Sequence, residues 1–547
     1  MSGKISALVR RLRSSVMAIM VVAGGSASAQ VVASAPISSS PAAVSSQLSR
    51  IDQVVARGPF RSDWRSLAAY RVPDWYRDAK FGIFIHWGVY SVPAFGSEWY
   101  SRNMYVPGEP AFEHQRSVFG PQSTHGYKDF ISRFNGSKFD PVAWVELFKR
   151  SGARYVVPVA EHCDGFAMYD SSITRWNAAR MGPKRDVVGD VAKAARAAGI
   201  HFGLSSHRAE HWWWYGQAPA GSDVWNPAYA DLYGPAASRT LDGVAASVEP
   251  DPNHLEQWLP PSKAFLDDWL ARTGEAVERY RPEFVYLDWW VNQPAFAPYL
   301  QRLAAYYYDN SSHHGIAPVL AYKEEAFPAG AALFDVERGR LDALRLLPWQ
   351  TDTSISIKSW GYVENDRYRT ADSLVATLVD VVSKNGNLLL NVGPRADGTI
   401  PEPEVAVLKQ IGEWLAVNGE AIYDTRPWVM FGEGPTRNAT GSLKEGDDPR
   451  YTPADIRFTT RGRTLYALGL ARAADGKMLI RVLYRGTPYA PPVSRVRLLG
   501  SGVPVDWNQQ ADGLHLTLPK AAANPAMPFA IRIEFAAPKG AANYSTK

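Results

Sequence analysis

At 547 residues, with 46% apolar and 21% charged side chains, the chain is too long for one small core and too apolar to stay unfolded. Two folded domains are expected, one of them large. The formal charge of +5 comes from 59 basic and 54 acidic residues mixed along the chain, which excludes a nucleic-acid footprint. The single cysteine, Cys163, excludes an intrachain disulfide.

Residues 1–29 read as an export signal. Lys4, Arg10, Arg11 and Arg13 precede an apolar run from Val16 to Gly24, and Ala27-Ser28-Ala29 is a small-residue cleavage site. Export to the periplasm or beyond the cell is expected. No membrane contact is expected afterwards, because no later run of about 18 apolar residues follows. Residues 30–48, aperiodic in Ala, Ser, Val and Pro, are expected to form a disordered linker.

From residue 49 to 427 strands and helices alternate. Short apolar strands are predicted at 81–86, 154–160, 201–206, 283–288, 317–322, 332–336 and 387–392. Helices are predicted after Asp140-Pro141, at 187–198, at 263–280 behind Ser262, at 373–384 and at 403–417. Repeated strand–helix units of this length predict an α/β fold, a (β/α)8-like barrel that carries catalysis. A doubly wound sheet is the alternative, but no glycine-rich phosphate loop is evident. Beyond Pro427 the period becomes two. Segments such as 455–460, 464–468 and 529–535 predict an antiparallel β-sandwich over 428–540, with 426–454 as the connection.

In a parallel barrel, chemistry sits at the carboxyl ends of the strands. The polar residues there are His86, Glu161-His162-Cys163-Asp164, Ser205-Ser206-His207-Arg208, Asp288-Trp289-Trp290, Glu337-Arg338, Trp349-Gln350-Thr351-Asp352 and Asn391. Glu98-Trp99 follows the first strand by about ten residues. Carboxylates converging among aromatics fit glycoside hydrolysis, in which one attacks the anomeric carbon and another protonates the departing oxygen. His162-Cys163 has no second pair at ligand spacing, so neither a metal nor another cofactor is expected.

These residues, in order, resemble a known family. Lys80-Phe-Gly-Ile-Phe-Ile-His-Trp-Gly, Ser97-Glu-Trp-Tyr, His162-x-Asp-Gly-Phe, Leu287-Asp-Trp, Ser359-Trp-Gly-Tyr and Asn385-Gly-Asn-Leu-Leu-Leu-Asn-Val-Gly-Pro are similar to the α-L-fucosidases of glycoside hydrolase family 29. The resemblance implies an irregular barrel, a β-sandwich and no metal. It also implies a retaining double displacement that releases L-fucose from fucosylated oligosaccharides or glycoconjugates. Carried over by position, Asp288 is the nucleophile. His86, Glu98, Trp99 and His162 resemble fucose-holding residues, Arg338 an arginine near the ring, and Tyr286 shares the nucleophile's strand face.

The chain departs from the family pattern twice. Cys163 stands where many members have a second histidine. Gln350 follows Trp349 where many members have the acid/base glutamate, and glutamine cannot donate that proton. Glu337 is therefore the first candidate for the acid/base and Asp352 the second. The alternative is a fucose-binding protein with impaired catalysis. Recognition of the leaving group is expected in the loops of residues 210–260.

Overall fold

The computed structural model describes residues 40–241, 257–446, 449–519 and 526–536. The expected export signal and residues 30–39 of the expected linker lie outside them.

Eight parallel strands close into a barrel in chain order. They are β1 (Phe81–Ile85), β2 (Tyr155–Glu161), β3 (His201–Ser206), β4 (Phe284–Leu287), β5 (Val319–Lys323), β6 (Leu333–Glu337), β7 (Trp349–Ser354) and β8 (Gly386–Val392). Nearly every strand residue is buried, as expected when helices cover the outside and side chains fill the inside. The interior is packed by rings and small residues together. A Cβ at Gly82 would meet the Tyr155 ring at 2.4 Å, so the glycine makes room for the tyrosine. The short helix Asp74–Ala79 plugs the amino-terminal end with Tyr76.

Seven of these strands were legible as apolar runs. Strand β7 was not, because Trp-Gln-Thr-Asp-Thr-Ser contains one apolar residue, yet all six are buried. Its inward side chains are held by polar partners rather than by apolar packing. Helices follow β1, β2, β3, β4, β7 and β8, at Pro141–Arg150, Val187–Ala198, Lys263–Tyr280, Ala297–His313, Ala371–Ser383 and Glu402–Asn418. Asp140 and Ser262 cap their helices as expected, accepting backbone N–H groups at 3.0 to 3.2 Å. The segments after β5 and β6 carry no helix, so the barrel is irregular there.

Two expectations are corrected. Residues 41–48 are not linker but the first half of a helix, Pro41–Arg57. Ser40 caps it, Pro41 supplies a preset φ, and Gln47 and Ile51 are buried. Ile51 lies against Gly274 of the helix Lys263–Tyr280. Its composition read as aperiodic because only one face needs to be apolar. The expected connection 426–454 likewise opens with a strand, β9 (Arg426–Glu433).

The carboxy-terminal strands are all antiparallel. Strand β9 joins β10 (Ile456–Arg461), β11 (Thr464–Gly469), β13 (Val493–Leu498) and β16 (Phe529–Phe535) in a five-stranded sheet ordered β13-β16-β11-β10-β9. Strands β12 (Lys477–Ile480), β15 (Gly513–Thr517) and β14 (Asp506–Gln510) form the second sheet, and the two enclose a separate apolar core. The sandwich is tied to the barrel by a buried charge cluster. Asp380 accepts from Arg457 Nε at 2.6 Å and from Lys384 Nζ at 2.8 Å. Burial alone would raise its carboxyl pKa, but the Lys384 and Arg457 charges pull it below the ordinary value. Asp380→Ala is expected to cost about 3–5 kcal/mol, because it leaves two cations buried without their counter-ion. Urea unfolding of the full chain measures this.

Candidate active site

The carboxyl ends of the strands surround a cavity of about 370 Å³. Every candidate except Arg338 lines it: His86, Glu98, Trp99, His162, Tyr286, Asp288, Glu337 and Asp352. Strand ends deliver His86, His162, Tyr286, Asp288, Glu337 and Asp352 to the mouth, and the segment after β1 adds Glu98 and Trp99.

Asp288 follows β4 directly. Its Oδ2 lies 2.7 Å from His207 Nδ1, and Oδ1 lies 3.5 Å from the Tyr286 hydroxyl. His207 follows β3, and its other ring nitrogen meets Ser205 Oγ at 2.9 Å. Burial would raise the pKa of Asp288, but the His207 charge and hydrogen bond, with Lys323 and His162 adding to them, bring it below the ordinary value. Asp288 is thereby held ionised.

Glu337 ends β6. Its Oε2 accepts from the Trp289 indole and lies 3.1 Å from Lys323 Nζ. Burial raises its pKa, Lys323 opposes the rise, and the charges of Asp352 and Asp288 add to it. Two carboxyl groups on one cavity are therefore pushed in opposite directions, which is how acid and nucleophile roles are separated.

Asp352 is held differently. Oδ2 accepts from the Tyr286 hydroxyl at 2.7 Å, and Oδ1 from Lys323 at 3.0 Å. Both oxygens are committed to fixed donors, which suits a support better than a proton donor. Lys323 also donates to Asp335 Oδ1 at 2.7 Å and is fully desolvated. It pairs with the carboxylates of Asp335, Glu337 and Asp352 at once.

Gln350 does not line the cavity. Two residues before Asp352, it lies one layer deeper in the barrel. Its Oε1 accepts from Tyr76 at 2.7 Å and Tyr155 at 3.2 Å, and its amide donates to Asp335 at 2.6 Å. The absence of a glutamate at this position therefore removes no acid from the mouth of this barrel. Arg338 is the second correction. Its guanidinium stacks on Trp360, 4.6 Å from the ring centroid, and donates to the carbonyls of Ile357 and Ser359 at 3.4 Å. It backs a wall whose inner face is Trp360 and does not itself line the cavity.

The opposite side is polar and preorganised. His86 Nδ1 and the His86 backbone N–H both donate to Asn391 Oδ1, at 2.8 and 3.1 Å. Burial and the neighbouring His207 and His162 keep His86 neutral, so Nε2 is an acceptor. His162 stacks on His207 with centroids 4.9 Å apart, and among the described residues its buried Nδ1 has no hydrogen-bond partner. Glu98 accepts from Ser359 Oγ at 2.9 Å and the Trp360 N–H at 2.8 Å, with both bonds on Oε2. Trp99 rests on Trp214, 4.7 Å between centroids, which explains the Trp212-Trp213-Trp214 run as support for the pocket wall. Cys163 lines the cavity and donates to the His207 carbonyl and to Glu210. Burial raises Glu210, with the Asp288 charge adding to it, to about 8.

His86, His162 and His207 offer ring nitrogens within 4.8 Å of one another. Asp288 and Ser205 occupy both nitrogens of His207, so the trio is arranged for hydrogen bonding rather than for ligating an ion. Lys323, Glu210, Arg239 and Trp258 contribute to the site without having been singled out, and His207 and Trp360 were named without a role. His207 was visible as a polar residue at a strand end. Lys323 gave no signal, since a lysine closing an apolar strand reads as its exposed tip.

A neutral histidine and a glutamate facing an aspartate with a lowered pKa and a second glutamate with a raised one, between tryptophan walls at a barrel mouth, fit a glycoside hydrolase. A family model described as alpha-L-fucosidase matches residues 47–420. Tissue alpha-L-fucosidase of Mus musculus is 29% identical over 494 residues, covering 88% of this chain and 95% of that protein. Plasma alpha-L-fucosidase of Homo sapiens is 31% identical over 477 residues, covering 84% and 89%. The solved structure of Thermotoga maritima alpha-fucosidase in complex with fucose matches with a TM-score of 0.67 at 29% identity, covering 86% of this chain and 99% of that one. The chain belongs to the alpha-L-fucosidase family.

Proposed function

We infer that this chain removes terminal α-L-fucose from fucosylated glycans by a retaining double displacement. The observation that carries the reading is the pairing of Asp288, with its lowered pKa, and Glu337, with its raised pKa, on one cavity. Asp288 attacks the anomeric carbon while Glu337 gives its proton to the glycosidic oxygen. The fucosyl–Asp288 ester forms as that bond breaks. Glu337, now ionised, takes a proton from water, and the resulting hydroxide equivalent displaces Asp288. His86, His162 and Glu98 hold the sugar hydroxyls, and Trp99 and Trp360 flank its C–H faces. The amino-terminal signal pattern supports export, so that the substrates are glycans outside the cytoplasm.

Two measurements test this reading. Proton NMR of the first-formed fucose must show the α anomer; the β anomer excludes double displacement. A 2-deoxy-2-fluoro-fucosyl inactivator must leave its mass on the peptide containing Asp288.

The rate is also expected to follow a bell in pH. Asp288 must be ionised, and its pKa is lowered, so activity persists below the ordinary carboxylate range. Glu337 must be protonated, and its pKa is raised, so activity is lost as pH climbs through that raised value. With Glu337→Gln the alkaline limb of kcat/KM on an activated fucoside should disappear. Its persistence would assign that limb to another group.

A further inference from the structure

The acid side of the cavity is built partly by the connection that leaves the carboxy-terminal sandwich. After β9, residues 441–445 run against 337–340 in three backbone hydrogen bonds. Leu443 N–H donates to the Glu337 carbonyl at 2.7 Å, Glu445 N–H to Arg338 at 2.8 Å, and Gly441 N–H to Arg340 at 3.0 Å. The Glu445 carboxylate is buried between Thr353 Oγ1 at 2.6 Å and Arg369 at 3.1 Å. The segment is therefore anchored along its backbone and by the Glu445 side chain.

Leu443 lines the cavity beside Glu337, yet it is 60% exposed. Its φ is +56°, a conformation that favours glycine or asparagine. A leucine held there is doubly unfavourable, strained in its backbone and wet on its side chain. Such outliers collect where a ligand is clamped. Trp289 lines the same cavity, half-buried, with its indole N–H on the carboxylate of the residue whose carbonyl holds Leu443.

We propose that Leu443 and Trp289 form the binding site for the sugar next to the fucose, gripping an apolar C–H face of a pyranoside leaving group. The inference rests on Glu337 as the acid/base, since the departing oxygen must lie at that carboxyl. It makes the carboxy-terminal domain, through the connection after β9, part of the active site. It also adds a wall to leaving-group recognition beyond Arg239 and Trp258, which line the cavity within or near the 210–260 loops.

The test compares two substrates on the full chain. One is α-L-fucosyl fluoride, whose leaving group is too small to reach Leu443. The other is the most rapidly cleaved of a set of α1-2, α1-3 and α1-6 fucosylated disaccharides. Leu443→Gly eases the backbone and removes the side chain. It is expected to lower kcat/KM on the disaccharide about tenfold, the scale of losing a few methylenes from an apolar contact. Turnover of the fluoride should change less than twofold. Leu443→Asn, also tolerated at positive φ, should give the same split. Equal losses on both substrates, or none on either, would overturn the subsite. Failure of the unaltered chain to hydrolyse the fluoride would instead overturn the assignment of Asp288 and Glu337, and the subsite with it.

Discussion

Asp288→Ala is expected to abolish turnover, by about four orders of magnitude on an aryl fucoside, while the protein still folds and still binds fucose. The size is that of removing one member of a group that acts as a unit. The geometry sets the reason. Asp288 is largely desolvated, and His207 at 2.7 Å offsets that cost and fixes one carboxylate oxygen. Alanine leaves His207 with Ser205 as partner and opens a small cavity at the mouth, away from the ring-packed interior. Isothermal titration with fucose separates binding from chemistry. Turnover within tenfold of the parent would remove Asp288 from the nucleophile role.

Glu337→Gln should behave differently according to the leaving group. On a fucosylated disaccharide the loss should reach about 10²- to 10⁴-fold, the ordinary contribution of a positioned acid. On a dinitrophenyl fucoside, whose departing oxygen needs little protonation, the first step should proceed and the ester should accumulate. Added azide should then restore turnover by attacking the ester without a general base, giving a fucosyl azide. Glutamine keeps the hydrogen bond from Trp289 but can neither give up a proton nor take one back. Asp352→Asn is the control. An equal leaving-group dependence there would transfer the acid role to Asp352.

Much of this arrangement could be read from the chain because barrel strands announce themselves by apolar runs that stop at polar residues. His86, His162, Asp288 and Glu337 were found by that rule alone. The rule fails where the interior itself is polar. Strand β7 carries Gln350 and Asp352 inward, and their partners Tyr76, Tyr155, Asp335, Tyr286 and Lys323 come from five other segments. No local pattern reports such a network, so Gln350 was given a place at the mouth that belongs to a deeper layer. Arg338 was misplaced for a related reason. Its backbone has a positive φ of +40°, which turns the side chain out behind Trp360 instead of continuing the strand's alternation. The helix Pro41–Arg57 hid behind its composition, since small residues cover a surface that needs no large apolar side chain.

The two strand connections without helices bear on how such an enzyme changes over evolutionary time. Elsewhere around the barrel, an insertion must be fitted over a helix that is itself packed on the sheet. Between β5 and β6, and between β6 and β7, the chain turns back through loops alone. Those loops flank Lys323 and Glu337. Segments there can be lengthened, shortened or exchanged without unseating a helix, and each exchange would remodel the ground on which the departing sugar rests. The proposed acid Glu337 thus stands on the most editable part of the scaffold, while His86 and His162, proposed to hold the fucose, follow strands backed by helices.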